Sequence, residues 1–306
     1  MKRVVVTGAS GFIGSACIES LLENGQYEIH AVSKRNHNRP HPRVNWHLLD
    51  LHDHQASREL LNSIKPSHLL HLAWYATPGK VWFSEENYRW VETSLALLKA
   101  FSLAGGKRCV TAGSCAEYLW DNSVCHEDVT PLTPSTIYGE CKKSLYTMQK
   151  DFCNESGLSC AWGRVFHLYG PHEPQQKLVS SIIISLINGK QAECSHGDLA
   201  RDYLYVKDVA SAFVALLDSR VEGAVNITSG QPVALREMIL KIGDKLDRTR
   251  LIRFGNTPPP ENVPAIITGA VDKISNDVGW QPVYNLDNGI DLTIEWWKNQ
   301  TKKEQI

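Results

Sequence analysis

A tyrosine and a lysine lie four residues apart in Tyr138-Gly139-Glu140-Cys141-Lys142, inside a stretch that predicts a helix. This spacing places both side chains on one face of a helix. A nearby ammonium group favours the phenolate and lowers a tyrosine pKa, so Tyr138 is suited to exchange a proton with a carbinol or carbonyl oxygen near neutral pH. The pattern alone is common and often structural. Its meaning depends on the rest of the chain.

Two further features favour a catalytic interpretation of Tyr138 and Lys142. A hydroxyl residue, Ser114, follows the fifth predicted strand. A glycine turn, Gly8-x-x-Gly11-x-x-Gly14, follows the first predicted strand and opens the first predicted helix. Phosphate-binding turns need this context, because their glycines let backbone N–H groups approach a pyrophosphate at a helix N-terminus. A tight structural turn is the alternative. The predicted cofactor contacts of this turn are Gly8, Ser10, Gly11, Phe12, Ile13 and Gly14.

The end of the second predicted strand bears on which dinucleotide binds. An acid there holds the 2′-hydroxyl of NAD, whereas basic residues accommodate the 2′-phosphate of NADP. The sequence has Ser33, Lys34 and Arg35 at this position and no acid. These donors suit a phosphate dianion, so we predict NADP(H), with NAD(H) as the second choice. A solvated basic loop would explain the same residues.

Further cofactor contacts are expected where two other predicted strands end. Asp50 is placed to accept from an adenine amino group, and Leu51 to pack on the adenine ring. Leu72, Ala73 and Trp74 end the fourth predicted strand, on the edge where an open α/β sheet binds ligands. Core packing is an equal alternative for each of them.

These motifs lie in a chain that alternates short β-branched runs with amphipathic stretches, which is typical of parallel β-α-β units. The predicted strands are residues 3–7, 28–33, 44–48, 68–73, 107–112 and 159–166. The predicted helices are residues 12–23, 54–64, 84–104 and 134–155, long enough for the crossovers that parallel strands need. We therefore expect an α/β fold with a doubly wound parallel sheet of the Rossmann type.

The second half is expected to carry a smaller, interleaved C-terminal substrate domain. We predict a helix at 178–187, irregular polar sequence to Asp202, a helix at 208–218 and a strand near 224–227. A loop at Thr257-Pro258-Pro259-Pro260 precedes two helical stretches, one ending near Trp280 and one ending at Trp296-Trp297. The predicted division is a cofactor domain at 1–170, to which 203–228 return, and a substrate domain at 171–202 and 229–306.

Composition excludes several classes of protein. The chain has 306 residues, 42% of them hydrophobic and 21% charged, with a net charge of −1. That balance argues against disorder and against a broad nucleic-acid surface. No signal peptide or membrane span is evident, so a cytoplasmic protein is expected. The eight cysteines form no C-x-x-C pair or zinc spacing, which predicts reduced, mostly structural thiols and no metal site.

Taken together, these residues resemble the extended short-chain dehydrogenase/reductase family, which contains nucleotide-sugar epimerases, dehydratases and reductases. The likeness covers nearly the whole chain. Besides the motifs above, it rests on the H-L-A segment at His71, on Tyr118 four residues after Ser114, on a variant of R-x-x-N-x-Y-G-P at 164–171, and on the segment 201–206.

The resemblance implies roles for individual residues. Hydride passes between nicotinamide and a sugar carbon, Ser114 and Tyr138 bind the sugar oxygen, and Lys142 organises the tyrosine and the nicotinamide ribose. These three are the implied catalytic residues. Val165 and His167 are expected at the cofactor. The substrate-side candidates are Tyr75, Ser114, Cys115, His167, Lys177 and Arg201. His167 stands where the family usually has Asn, and a buried core histidine would explain it equally well.

The resemblance also narrows the reaction. Family 4,6-dehydratases carry an Asp-Glu pair after the catalytic hydroxyl residue, whereas Ser114 is followed by Cys115 and Ala116. Dehydration is therefore disfavoured. The basic cluster suits a reductase that releases spent cofactor, so we predict an NADPH-dependent reductase of a nucleoside-diphosphate-linked 4-keto-6-deoxy sugar. The alternatives are an epimerase that retains NAD(P) and a non-catalytic NADP-sensing protein. By analogy with the family, a homodimer through the helices at 84–104 and 134–155 is expected.

Overall fold

A computed structural model describes residues 1–35, 41–121, 124–256 and 263–304. The predicted proline loop Thr257–Pro260 lies outside the described residues. The strands are β1 Lys2–Thr7, β2 Tyr27–Ser33, β3 Val44–Leu48, β4 His68–His71, β5 Arg108–Ser114, β6 Val124–Cys125, β7 Ser159–Val165, β8 His167–Tyr169, β9 Ala192–Cys194, β10 Ala200–Tyr205, β11 Gly223–Ile227, β12 Pro232–Ala234, β13 Ile252–Phe254 and β14 Ile266–Gly269. The α-helices are α1 Phe12–Asn24, α2 His54–Ile64, α3 Glu86–Leu103, α4 Ile137–Ser156, α5 Leu178–Ile187, α6 Val206–Asp218, α7 Leu235–Lys245 and α8 Leu286–Glu304.

The main sheet has seven strands in the order β11-β7-β5-β4-β1-β2-β3, and all of its pairings are parallel. Its central strands are apolar runs, because a parallel sheet is covered on both faces. Residues of α1 and α6 pack on one face. Residues of α2, α3 and α4 pack on the other. The predicted doubly wound Rossmann fold is confirmed.

This topology brings the candidate site together. Strands β1, β4 and β5 are neighbours and parallel, so their carboxyl ends meet at one edge of the sheet. The glycine turn after β1, the segment after β4 and Ser114 at the end of β5 all lie at that edge. Ligands bind at this edge in open α/β sheets.

The second half contributes smaller elements beside this sheet. A five-stranded sheet runs β12-β10-β14-β6, with β8 also paired to β10, and β9 pairs with β13. A separate apolar cluster combines α5, α7 and α8, with Ile183, Met238 and Ile290 fully buried in it. Strand β11 pairs with β7 in the main sheet.

Several sequence-predicted boundaries were wrong. The irregular stretch expected up to Asp202 contains β9 and the first half of β10, whose pairing partners β13, β12 and β14 come much later in the chain. The helix expected to end near Trp280 is only a π-helical turn, Lys273–Asp277, and α7 was not predicted. Helix α8 runs past Trp297. Short strands carry little local signal because distant partners stabilise them.

The expectation of reduced thiols was wrong for one pair. Cys153 on α4 and Cys160 on β7 form a disulfide across the turn at Gly157, which ends α4 in a left-handed conformation. This turn reverses the chain and brings the two sulfurs together. The other six cysteines are free, and five of them are buried. Within the described ranges, no helix is long and apolar enough to cross a membrane.

Candidate active site

The glycine turn after β1 is too crowded for larger residues. Gly8 has a φ of +66°, and a Cβ there would lie 2.8 Å from the backbone nitrogen of Ala73. A Cβ on Gly14 would lie 2.1 Å from the carbonyl oxygen of Gly8. Gly11 is the N-cap of α1, where the described residues provide no side-chain cap and no acid in the first turn. Free N–H groups at a helix N-terminus attract phosphate, so the turn fits a dinucleotide pyrophosphate.

The other residues predicted in this turn differ in exposure. Ser10 is exposed, and its Oγ lies 2.7 Å from the Oγ of Ser33. Phe12 and Ile13 are half-buried and pack against the core beside α1. The turn therefore offers backbone groups and one hydroxyl to a ligand, and it uses its apolar side chains for packing.

Two of the three residues predicted to hold the NADP 2′-phosphate already have partners. Ser33 is buried and donates to the carbonyl oxygen of Arg35 at 2.8 Å. Lys34 Nζ lies 2.8 Å from Asp50 Oδ2, and this bond lowers the pKa of Asp50. Arg35 is exposed. Leu51 is buried among core residues next to Ala73.

His71, at the end of β4, is a buried structural residue. Its Nδ1 lies 2.7 Å from Thr7 Oγ1, and its Nε2 lies 2.9 Å from Ser94 Oγ. Burial lowers the pKa of His71 to about 3, so the ring is neutral. Thr7 Oγ1 also accepts the N–H groups of Leu72 and Ala73, at 3.2 and 3.3 Å. These bonds fix the segment that leads to Trp74.

Aromatic side chains flank Tyr138. The Trp82 ring meets the Tyr138 ring edge-on at 5.6 Å between centroids, and the Trp74 ring does so at 6.4 Å. The indole N–H of Trp74 donates to Asn87 Oδ1 at 2.8 Å, and the Asn87 amide donates to the carbonyl oxygen of Val81 at 2.7 Å. Sequence reasoning missed Asn87 and Trp82.

Ser114 and Tyr138, for which a joint role was predicted, interact in the structure through the influence of the serine on the phenol pKa. Ser114 ends β5 and N-caps the 3₁₀ turn Cys115–Glu117, where its Oγ accepts the Ala116 N–H at 3.2 Å. The Ser114 hydroxyl acts on the Tyr138 phenol and lowers its pKa, in opposition to burial. Thr136 caps α4 by accepting the Gly139 N–H at 3.1 Å, which starts the helix just before Tyr138.

Lys142 is buried behind this pair and does not act as first expected. Its Nζ donates to the Ala112 carbonyl oxygen at 2.8 Å and lies 3.7 Å from the Trp74 ring centre. Burial lowers the pKa of Lys142 to about 7. The pKa of Tyr138 is raised by burial, with Ser114 acting in the opposite direction. The prediction that Lys142 lowers the pKa of Tyr138 was therefore wrong, because the Lys142 ammonium faces the Ala112 carbonyl oxygen and the Trp74 ring.

A buried carboxylate that sequence reasoning missed lies beneath Ser114. Glu117 accepts the Ser114 N–H at 2.7 Å and the Trp162 indole N–H at 2.9 Å, and Arg164 Nε lies 2.7 Å from its other oxygen. Arg164 also donates to the Tyr118 hydroxyl at 3.0 Å. A signal was available, because Ser-x-x-Glu from 114 to 117 is the pattern of a capping box.

Three of the substrate-side candidates, His167, Lys177 and Arg201, interact electrostatically. Burial lowers the pKa of His167 to about 3, and the charges of Arg201 and Lys177 act in the same direction. In the part of the chain that the structure describes, the buried His167 Nδ1 has no hydrogen-bond partner. Arg201 is buried and donates to the carbonyl oxygens of Ala200 and Ala265. The positive charges of Arg201 and Lys177 therefore both act at His167, where an anion would be stabilised.

The remaining predicted residues make less distinctive contacts. Val165 ends β7 and is buried in the core. Cys115 is buried below Ser114, and burial raises its thiol pKa. Tyr75 follows Trp74 and is half-buried.

The chemistry of the site follows from these contacts. A phenol that keeps its proton, a serine hydroxyl that acts on it and a buried amine can exchange a proton with the oxygen of an alcohol or a carbonyl group. The adjoining glycine turn and helix N-terminus have the shape and polarity that a dinucleotide needs. A proton given to a ketone together with a hydride from a bound carrier would reduce it, and the reverse transfers would oxidise an alcohol.

Comparisons with known proteins agree with this geometry. The chain is 25% identical over 320 residues to UDP-glucuronic acid decarboxylase 1 of Xenopus tropicalis, covering 99% of this chain and 74% of that protein. It is 27% identical over 322 residues to GDP-mannose 3,5-epimerase 1 of Oryza sativa subsp. indica, covering 99% and 83%. Its fold matches that of the UDP-glucose 4-epimerase of Thermus thermophilus in complex with NAD, with a TM-score of 0.84 at 23% identity, covering 97% of this chain and 99% of that one.

The profile of the NAD dependent epimerase/dehydratase family matches residues 4–228, which run from β1 to just past β11. This span contains the glycine turn, Ser114, Tyr138 and Lys142. The chain is therefore an enzyme of the extended short-chain dehydrogenase/reductase superfamily, and it belongs to the NAD dependent epimerase/dehydratase family.

Proposed function

We propose that this protein is an NADPH-dependent reductase of a nucleoside-diphosphate-linked 4-keto-6-deoxy sugar. One observation carries the proposal: Ser114, at the end of β5, acts on a Tyr138 that keeps its proton, and the residues that follow Ser114 are the buried, uncharged Cys115 and Ala116. This arrangement donates a proton to a carbonyl oxygen. It offers no acid/base pair for the elimination of water.

The three catalytic side chains have different tasks in this proposal. Tyr138, whose raised pKa keeps its proton in place, gives that proton to the sugar oxygen. Ser114 donates a hydrogen bond to the same oxygen when the substrate is bound. Lys142, with a pKa of about 7, returns a proton to the phenol or holds the ribose of the cofactor. The nicotinamide supplies the hydride.

The groups that would bind the cofactor and the sugar nucleotide are separate. Gly8, Gly11 and Gly14 hold the dinucleotide pyrophosphate. Arg35, the exposed member of the basic cluster, meets the 2′-phosphate of NADPH. Lys177 and Arg201 are the cationic residues that receive the diphosphate of the substrate, and the neutral His167, on which both charges act, adds a ring nitrogen to the same site. Arg201 suits that role because its planar guanidinium presents paired donors to phosphate oxygens.

The test is to mix the purified protein with NADPH and a nucleotide-linked 4-keto-6-deoxy sugar. We expect one NADPH to be oxidised for each sugar consumed, followed as loss of absorbance. A thermal-shift panel of GDP, UDP, CDP and dTDP identifies the nucleoside first. The Tyr138→Phe variant is the matched control. If NADPH binds but no nucleotide-linked keto sugar oxidises it, the protein is a non-catalytic NADP-binding protein.

Epimerisation with a retained cofactor is the second candidate, and a specific observation favours it. Lys34 is already paired with Asp50, which leaves Arg35 as the main donor to a 2′-phosphate. The Thermus relative is an epimerase described with NAD. An epimerase returns the hydride to the same sugar. Interconversion of two nucleotide sugars without net NADPH loss, by protein purified with cofactor bound, would assign the protein to this class.

A further inference from the structure

Glu117 is a fully buried carboxylate beside Ser114, with 0% exposure. A carboxylate removed from water is costly unless it is fully paired and hydrogen-bonded. Glu117 meets that requirement through donors on two different strands. Its Oε1 accepts from Ser114 N–H on β5, and its two oxygens accept from Trp162 and Arg164 on β7.

The backbone around Glu117 is shaped to permit this packing. A Cβ on Gly113 would lie 2.0 Å from the Trp162 indole nitrogen and 2.8 Å from Glu117 Oε1. Only glycine lets the carboxylate and the indole approach β5 this closely. The hydrogen bond from the Ser114 N–H to Glu117 fixes the backbone position of Ser114, the residue that follows Gly113.

Charged and titratable groups surround Glu117 on three sides. Arg164 on β7 neutralises it directly, and Tyr118 faces both groups. Glu127, on the loop beyond β6, has its backbone carbonyl bonded to Arg164 and its carboxylate bonded to the Asn226 N–H. On the α4 side lie Tyr138 and Lys142, together with Cys141 and Tyr146. The neutral His71 faces Lys142 from β4.

The charge of Glu117 acts on Lys142 in particular. Burial disfavours the Lys142 ammonium, and Glu117 is the largest influence that opposes burial. Lys142 forms no ion pair with Glu117 at contact distance; its Nζ donates to the Ala112 carbonyl. The effect is therefore that of a fixed charge across a dry interior, where charges interact more strongly than in water.

We propose that Glu117 is a positioning residue for the Ser114–Tyr138–Lys142 site: its carboxylate holds the backbone of Ser114 and places a fixed negative charge beside the site, where it acts on the buried Lys142 amine. The inference rests on the proposed function for its catalytic meaning. Its two physical elements, the position of Ser114 and the charge state of Lys142, are measurable without turnover.

The first experiment follows Lys142 in the protein without added ligands. Lysine is labelled with ¹³C at Cε, the Lys142 signal is assigned by its loss in Lys142→Met, and its titration is compared between wild type and Glu117→Gln. Gln keeps an oxygen for the Ser114 N–H but removes the charge. We expect the Lys142 pKa to fall by about one pH unit or more, as loss of a nearby opposite charge predicts. The matched control is Glu127→Gln, which neutralises a carboxylate near Arg164 and leaves Lys142 unchanged.

Glu117→Gln leaves Arg164 buried and unpaired, which can prevent folding. The double variant Glu117→Gln/Arg164→Met removes that unpaired charge, and its Lys142 titration must also move to lower pH. An unchanged Lys142 titration in a folded variant overturns the charge part of the inference.

The second experiment uses turnover and tests the position of Ser114. In Glu117→Leu/Arg164→Met the Ser114 N–H loses its acceptor, so Ser114→Ala should reduce kcat less in this background than in wild type. Equal reductions in both backgrounds overturn the positioning part. In Glu117→Gln, the pH at which kcat declines on the alkaline side should shift to a lower value, together with the pKa of Lys142. If no keto sugar is turned over but the Lys142 titration shifts in Glu117→Gln, the proposed function fails and the charge part of the inference stands. If the protein is an active reductase but the Lys142 titration does not shift, the charge part fails and the proposed function stands.

Discussion

The Nζ of Lys142 lies 3.7 Å from the centre of the Trp74 ring, so an indole covers the amine that the site needs. This cover contributes to the burial that lowers the Lys142 pKa to about 7. Replacing Trp74 with Leu should admit water and raise that pKa toward the ordinary value of about 10.4. We expect a shift of at least about one pH unit, measured by ¹³C NMR of labelled lysine. Trp82→Leu, which removes the other indole beside Tyr138, is the control and should leave the Lys142 titration in place.

Tyr138→Phe should lower kcat by about 10²–10⁴-fold, the usual contribution of a general acid. NADPH affinity, measured by fluorescence titration, should change little because only the phenolic oxygen is lost. Ser114→Ala should cost less, since it removes one hydrogen bond and leaves the proton source. Tyr146→Phe, on the same helix and away from Ser114, is the matched control. Near-normal turnover by Tyr138→Phe would rule out the assigned proton donor.

Arg35→Ala should weaken NADPH binding and leave NADH binding nearly unchanged. The loss should be about 1.5–3 kcal/mol, the value of a hydrogen bond to a charged group. Isothermal titration of both cofactors measures it. Lys34→Ala is an informative control, because Lys34 is paired with Asp50 and should contribute less to the preference. Identical binding of NADPH and NADH by the wild type would contradict the predicted cofactor choice.

Gly14→Ala should destabilise the cofactor turn. Its Cβ would lie 2.1 Å from the Gly8 carbonyl oxygen, so the helix and the turn must move apart. Overpacking of this kind costs about 1–3 kcal/mol. Thermal denaturation should show a lower Tm, and added NADPH should stabilise the variant less than the wild type. Ser15→Ala, one position along α1, is the control with ordinary packing; a wild-type Tm and cofactor response in Gly14→Ala would show that the turn tolerates a side chain.

The protein should sediment as a homodimer at micromolar concentration, paired through α3 and α4. Large apolar side chains are exposed on these helices: Tyr88 and Leu103 on α3, and Met148 on α4. Met148→Glu should shift the sedimentation coefficient toward that of the monomer, because a charge would enter an apolar contact. Val283→Glu, at an exposed apolar position outside α3 and α4, should keep the dimer. A monomer at every concentration would exclude this assembly.

Local sequence determined much of the site. The glycine turn was recognisable because strand, turn and helix signals are consecutive in the chain, and Tyr138 and Lys142 were placed on one face because helical spacing is fixed. The parallel sheet followed from alternating strand and helix patterns. Residues at strand ends, such as Ser114 and Trp74, were assigned to the ligand edge for the same reason. All of these properties depend on neighbours within about one helical turn or one β-α unit.

Tertiary structure decided what those residues face. Lys142 was expected beside the Tyr138 oxygen, yet its Nζ binds Ala112 and lies against Trp74, which come from different strand ends. Glu117 is a buried charge only because β7 brings Trp162 and Arg164 against β5. Strands β9 and β10 form because β13, β12 and β14 pair with them from far along the chain. Burial and pKa arise from such distant contacts, and no local pattern specifies them.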